Sequence, residues 1–98
     1  MIYRADVIRN SVTWARKHKL KIIVDEIYAL STHKKDNHGF ESVISILDNN
    51  LGDDVFMIWA LSKDFGSSGF RVGTIYSQNA QFMNALSNLS IFSGVSRK

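Results

Sequence analysis

The chain has 98 residues, a formal net charge of +3 at pH 7 and a hydrophobic fraction of 45%. This length allows one small domain or a piece of a larger one, and the content of Phe, Tyr and Trp argues against disorder. The absence of cysteine excludes disulfides and thiolate metal sites, and no apolar run approaches the roughly 18 residues that a membrane span needs. The N-terminus lacks the apolar core of a signal peptide, so we expect a cytoplasmic protein without a membrane partner.

Residues 6–18 predict a helix, because their apolar side chains recur at helical spacing. Two neighbouring rows form the expected apolar face: Val7, Ser11 and Trp14, and Ile8, Val12 and Ala15. Residues 16–21 are mostly basic and begin within the last turn of this helix, where they complement the negative pole of the helix end. No aromatic side chains are interleaved with these charges, so we expect no nucleic-acid partner.

Residues 22–24 are a β-branched run that predicts a strand covered on both faces. A helix followed by a buried strand is typical of a mostly parallel sheet. Asp25 and Glu26 end the strand, and with His33 and His38 they raise the question of a metal. Their spacing fits no compact ligand pattern, so we expect no metal site and two solvated histidines.

The stretch from residue 29 to residue 54 is the least regular part of the chain. Its composition predicts a loop over residues 31–39 and a turn over residues 48–54. Between them, apolar side chains at helical spacing predict a short helix over residues 40–47. We assign no chemistry to this stretch.

Residues 55–61 predict a second buried strand, and the glycine-rich segment of residues 62–73 follows it. Lys63 stands where the strand ends, which is the edge of an open α/β sheet where ligands collect. The glycines permit tight turns, and Arg71 returns with a planar charged group suited to a phosphate. An amine near an anion-binding arginine is what a pyridoxal phosphate site requires. The glycine spacing fits neither a dinucleotide fingerprint nor a P-loop.

Arg71 is expected to open a third strand, which continues over residues 72–77. The connection from the second strand is shorter than the dozen or so residues of a parallel crossover, so the third strand should run antiparallel. Residues 79–92 predict a final helix that ends before Gly94. Its expected inward-facing side chains are Phe82, Met83, Leu86 and Leu89.

The segment 62–73 resembles the cofactor-lysine motif of fold-type I pyridoxal-phosphate enzymes of the class I/II aminotransferase family, especially the 1-aminocyclopropane-1-carboxylate synthase and synthase-like branch. Residues 22–29 resemble the Asp-Glu-x-Tyr strand of the same family, in the same order along the chain. The resemblance implies an α/β fold. We expect a partial three-layer αβα sandwich with a mixed sheet of about three strands, two parallel and one antiparallel, and flanking helices.

The resemblance also implies pyridoxal 5′-phosphate as cofactor and a role for each matching residue. Lys63 would form the internal aldimine and, once freed by the substrate amine, act as general base. Asp25 would keep the pyridine nitrogen protonated, and Tyr28 would hydrogen-bond the phenolic oxygen. Ser62 and Arg71 would bind the phosphate.

The chain departs from the family pattern in several places. Ala60 stands where the family commonly has a hydroxyl that contacts the phosphate, which removes one hydrogen bond worth about 0.5–1.5 kcal/mol. Ser62 is the residue that would compensate. The family's Asn-Pro turn, its upstream glycine-rich phosphate segment and its downstream carboxylate-binding arginine have no counterpart. We therefore expect residues 1–98 to be a central, partial cofactor-binding large domain that is inactive as an isolated chain.

Three functions remain open at this point. The first is pyridoxal-phosphate catalysis on an amino acid, with S-adenosylmethionine as one candidate, in a protein whose full length forms a homodimer. The second is an inactive synthase-like remnant with a structural or partner-binding role. The third is a phosphate-binding α/β domain that uses Arg71 and the glycine loop without Lys63. Transamination and the elimination reactions share the lysine, so the substrate is not encoded in this segment.

Overall fold

The computed structural model of the chain describes residues 2–32 and 39–92. Its elements in chain order are α1 (Ala5–Lys17), β1 (Ile22–Asp25), α2 (Val43–Ile46), β2 (Val55–Ala60), α3 (Leu61–Asp64), a 3₁₀ turn (Ser68–Phe70), β3 (Gly73–Ser77) and α4 (Ala80–Phe92). The long helices and the strands lie within one or two residues of their predicted bounds. None of the helices in the described part of the chain is long and apolar enough to span a bilayer.

The three strands form one mixed sheet in the order β1-β2-β3. β1 pairs with β2 in parallel, with Asp25 opposite Ile58. β2 pairs with β3 antiparallel, with Ala60 opposite Gly73. The predicted α/β class and strand directions are confirmed, and the antiparallel step follows from the short connection between β2 and β3.

The core lies between one face of the sheet and the helices α1 and α2. Its buried members are Val12, Val43, Leu51 and Val55, and partly buried side chains from β1 and β2 pack against them. On the opposite face of the sheet, α4 packs against β2, where the rings of Phe56 and Phe82 meet edge to face at 4.7 Å. The elements therefore form three layers, as expected.

The prediction that β1 is covered on both faces is wrong. Ile22 and Val24 pack against the core, but the side chain of Ile23 between them is 68% exposed. Because α4 packs on the neighbouring strands, an open groove remains beside Ile23 on this face. In α4, Leu89 is also exposed, whereas it was expected to face inward.

Helix α1 buries only one of its two predicted apolar rows. Val12 and Ala15 are buried, but Val7 and Trp14 are exposed. The Trp14 ring lies against the imidazole of His18, with the ring centroids 4.3 Å apart. The row that packs is therefore the one that points at the sheet.

The basic end of α1 is tied to the start of β2. Arg16 and Lys17 lie in the last turn of the helix, as its polarity favours. Arg16 Nε donates to Asp54 Oδ2 at 2.8 Å, and Nη2 donates to the carbonyl of Leu51 at 2.9 Å. The hydrogen bond to Asp54 raises the pKa of Arg16, so this part of the basic cluster has a structural role.

The irregular stretch contributes more to the core than its composition indicated. The predicted helix 40–47 shortens to Val43–Ile46, whose N-cap Ser42 accepts a hydrogen bond from the Ile44 amide. Leu51, in the predicted turn, is fully buried. The predictions for His33, His38 and Gly94 fall outside the described residues.

Candidate functional site

The candidate site lies at the carboxyl ends of β1 and β2. Because these strands are parallel, the residues that follow them meet at one edge of the sheet. Asp25 is the last residue of β1, and the Glu26 amide still donates to the carbonyl of Ile58 at 3.0 Å. β2 ends at Ala60, and α3 begins at the next residue. Asp25 and the helical turn that carries Lys63 therefore follow adjacent strands.

Lys63 and Tyr28 are brought together. The Lys63 Nζ atom lies 5.9 Å from the centroid of the Tyr28 ring, which is within the range of a cation–π contact. Both residues are exposed. Lys63 lies in the single helical turn α3 and not in an open loop, so its backbone is fixed directly after β2.

Asp25 lies at the start of the turn that leads to Tyr28. Its Oδ1 accepts a hydrogen bond from the Ile27 amide at 3.0 Å, which orients the carboxylate. Asp25 and Tyr28 line the same cavity of about 190 Å³. Asp25 also borders a second cavity of about 500 Å³, whose lining includes Ala60 and Gly73. Within the described residues, no three acidic or histidine side chains form a cluster that could hold a metal.

Ser62 and Arg71 are the residues that the sequence predicts to bind the phosphate. Ser62 is partly buried in α3, directly before Lys63. Arg71 follows the 3₁₀ turn with a left-handed φ of 53°, and its amide donates to the carbonyl of Ser68 at 3.3 Å. This conformation turns the chain out of the extended region, so Arg71 precedes β3 and does not open it as predicted.

The structure does not join all of the predicted residues directly. Over residues 2–32 and 39–92, no hydrogen bond or ion pair links the side chains of Asp25, Lys63 and Arg71. The two cavities that Asp25 borders are lined by neither Lys63 nor Arg71. Lys63 approaches the Tyr28 ring directly, whereas Tyr28 and Asp25 share the lining of one cavity.

Asp64 was not predicted as part of the site, yet it is the most connected side chain there. Its Oδ2 accepts hydrogen bonds from the Leu30 amide at 3.0 Å and from Trp59 Nε1 at 2.7 Å. Its Oδ1 accepts from Ser31 Oγ at 2.6 Å. Desolvation raises the pKa of Asp64, but these hydrogen bonds outweigh it and hold the pKa below its ordinary value. In the sequence, Trp59 was the residue that could have indicated this role of Asp64, because an indole N–H in a strand needs an acceptor.

Glu26 is the second residue that the sequence did not reveal. It is the buried charged residue of the described chain, only 7% exposed. Its Oε1 accepts a hydrogen bond from the Val43 amide at 2.7 Å, at the start of α2. The available signal was a carboxylate directly after an apolar strand, since such a group needs a donor if it is buried.

The amino-acid sequence is similar to that of one family of known proteins. The family model described as "Aminotransferase class I and II" matches residues 2–97. The human protein named "1-aminocyclopropane-1-carboxylate synthase-like protein 1" is 36% identical over 97% of the chain and 19% of its own length. The mouse "Probable inactive 1-aminocyclopropane-1-carboxylate synthase-like protein 2" is 38% identical over 97% of the chain and 16% of its length. The Nicotiana tabacum "1-aminocyclopropane-1-carboxylate synthase" is 36% identical over 93% of the chain and 19% of its own length. The chain thus spans about a fifth of these relatives.

Proposed function

The chain belongs to the aminotransferase class I and II family, in its 1-aminocyclopropane-1-carboxylate synthase-like branch, and we propose that it is a pyridoxal-phosphate-binding segment of such an enzyme. Residues 1–98 would form part of the cofactor-binding large domain. The observation that carries this proposal is the position of the Lys63 amine against the Tyr28 ring, at the same sheet edge as Asp25. The cofactor-dependent activity belongs to the whole protein.

The residues at this edge fit the chemistry of the cofactor. Pyridoxal phosphate supplies an aldehyde for an amine and a pyridine ring that withdraws electrons when it is protonated. Lys63 offers the amine, and Asp25 offers a carboxylate for the ring nitrogen. Tyr28 offers a phenol that can hydrogen-bond the phenolic oxygen of the cofactor. Ser62 and Arg71 offer a hydroxyl and a guanidinium for the phosphate. Ala60 has no hydroxyl to add to them.

Each of these side chains then has a defined task. Lys63 would hold the cofactor through its Nζ atom and, once the substrate amine had taken its place, would take up the proton from the substrate α-carbon. The Tyr28 ring limits the positions that the Lys63 amine can adopt. The hydrogen bond from the Ile27 amide holds the Asp25 carboxylate in one orientation. In the whole protein the substrate would be an amino acid, with S-adenosylmethionine as one candidate, and the assembly a homodimer.

A catalytically inactive relative is the second candidate, and two observations favour it. Ala60 removes a hydroxyl from the phosphate side, and one similar mouse protein carries the words "probable inactive" in its name. Such a protein would keep the fold as a structural or partner-binding piece. It would bind the cofactor weakly or not at all, which makes covalent labelling the deciding measurement.

The experiment is reductive trapping of pyridoxal phosphate on the 98-residue chain. The chain is incubated with the cofactor, reduced with borohydride and digested, and the modified peptides are quantified by mass spectrometry. We expect the adduct to concentrate on Lys63 and to disappear in Lys63→Arg. Lys17→Arg, which removes an exposed lysine at the end of α1, is the matched control and should leave the Lys63 adduct unchanged.

Label spread evenly over the exposed lysines would contradict the proposal. Two results together would instead indicate a simple phosphate-binding domain. In that case the wild-type chain forms no adduct on Lys63, and Lys63→Met still binds inorganic phosphate. Loss of the Lys63 adduct in Arg71→Gln, with the fold intact, would support a phosphate role for Arg71.

A further inference from the structure

The carboxylate of Asp64 joins three separate segments of the chain at the candidate site. It accepts hydrogen bonds from the Leu30 amide, from Ser31 Oγ and from the indole of Trp59. Leu30 and Ser31 belong to the turn after β1, and Trp59 lies in β2. One side chain therefore ties the turn that carries Tyr28 to the helical turn that carries Lys63.

These contacts have no substitute in the described part of the chain. Every hydrogen bond between α3 and residues 26–32 ends on the Asp64 carboxylate. The neighbouring side chains, Lys63 in α3 and Tyr28 in the turn, are both exposed, so burial does not hold them together. Without Asp64, the turn that carries Tyr28 and the helical turn that carries Lys63 would lose the hydrogen bonds between them. The 5.9 Å distance from the Lys63 amine to the Tyr28 ring would then no longer be held by those bonds.

We propose that Asp64 is a positioning residue that sets the Lys63 amine against Tyr28 through hydrogen-bond geometry. This inference rests on the proposed function of Lys63 and deepens it. Asp64 touches neither cofactor nor substrate in this role. It acts by holding the turn after β1 against α3, and Trp59 anchors the carboxylate from the strand.

The hydrogen bonds of Asp64 make it possible to separate the effect of its geometry from the effect of its charge by substitution. The N–H groups of Leu30 and Trp59 bond Oδ2, and the hydroxyl of Ser31 bonds Oδ1. In Asp64→Asn, the amide oxygen can accept both N–H groups, and the amide nitrogen can donate to Ser31 Oγ, because a hydroxyl also accepts. Asparagine can thus keep these three hydrogen bonds and removes the charge, whereas Asp64→Ala removes both.

The experiment compares the wild-type chain with Asp64→Asn, Asp64→Ala and the control Asp53→Asn. Asp53 is exposed and precedes β2, at the opposite end from Asp64, so its variant removes an equivalent charge far from the site. Two readouts need no cofactor: the NMR shift of the Trp59 indole N–H, and the nuclear Overhauser effect between the Tyr28 ring and the Lys63 ε-methylene. The third readout is the borohydride-trapped adduct on Lys63, divided by the adduct on Lys17.

We expect Asp64→Ala to shift the indole resonance, abolish the Tyr28–Lys63 effect and lower the adduct ratio about tenfold. Asp64→Asn and Asp53→Asn should stay within about twofold of wild type. Circular dichroism establishes that each variant is folded. If Asp64→Ala is unfolded, Ser31→Ala replaces it, and the loss of one of the three hydrogen bonds should lower the ratio about threefold.

Two results would overturn the inference while leaving the proposed function intact. An adduct ratio that is unchanged in folded Asp64→Ala, or in its substitute Ser31→Ala, would show that the network does not position Lys63. An equal loss in Asp64→Asn and Asp64→Ala would show that the negative charge acts and not the geometry. A wild-type chain that forms no adduct on Lys63 contradicts the proposed function itself, and the positioning role fails with it.

Discussion

Replacing Glu26 with alanine is expected to destabilise the fold by about 2–3 kcal/mol, because the change leaves a buried donor without its acceptor. The Glu26 Oε1 atom accepts the Val43 amide at 2.7 Å, and the Val43 residue has no exposed surface. A buried N–H that loses its partner costs about 1–3 kcal/mol. The truncated side chain adds the loss of packing at a position that is 7% exposed. For a chain of this size, 1 kcal/mol corresponds to a melting-temperature change of about 4–8 °C, so we expect a decrease of at least about 8 °C.

The assay is urea-induced unfolding followed by circular dichroism, combined with hydrogen exchange at the Val43 amide. Glu26→Gln keeps an oxygen acceptor for that amide and should retain most of the stability and protection. Glu41→Ala is the surface control, because its carboxylate is exposed and, among residues 2–32 and 39–92, accepts only from Ser45 Oγ. It should change stability by less than about 0.5 kcal/mol. If Glu26→Ala and Glu41→Ala unfold at the same urea concentration and Val43 keeps its protection, the reasoning about the buried carboxylate is refuted.

Two further predictions test the loop around Lys63. Gly66 has a φ of 60°, and no atom of the described residues lies within 4 Å of an added Cβ, so Gly66→Ala should cost about 1 kcal/mol of folding free energy from backbone strain alone. Gly69 also has open space but not a left-handed φ, so Gly69→Ala is the matched control, and an equal effect of both variants would contradict the strain argument. Because the folded pKa of Asp64 lies below its ordinary value of 3.8, its contribution to stability is present above that pH and is lost as the pH falls through the folded pKa. Thermal melting between about pH 6 and about pH 2 should show this loss in wild type but not in Asp64→Asn, and parallel profiles for the two proteins would disprove it.

The elements and the family were predictable because they depend on local patterns. Helical spacing predicted α1, and apolar runs predicted β1 and β2. The length of the segment between β2 and β3 set the antiparallel direction. The glycine-rich segment with Lys63 and the strand that ends at Asp25 carried the resemblance to the family, and the comparisons confirm that family.

The sequence alone did not predict which surfaces are covered. The β-branched run of β1 indicated burial on both faces, but the Ile23 face is open because α4 packs on the neighbouring strands. In α1, both apolar rows had suitable spacing, and only the row that contains Val12 faces the sheet. Periodicity identifies an apolar face, whereas coverage depends on where the other elements pack.

By itself, the sequence determined the order of helices and strands, the direction of the third strand, the family and the identity of the residues offered as a cofactor site. Only the tertiary structure showed that the amine of Lys63 lies against the ring of Tyr28 and that Glu26 and Asp64 hold the surrounding turns. The physical reason is distance along the chain. The donors that Glu26 and Asp64 bind lie up to 34 residues away. The parallel pairing of β1 and β2 brings Asp64 near the turn after β1, and the packing of α2 brings Val43 to Glu26. No local pattern records which donor faces a given carboxylate.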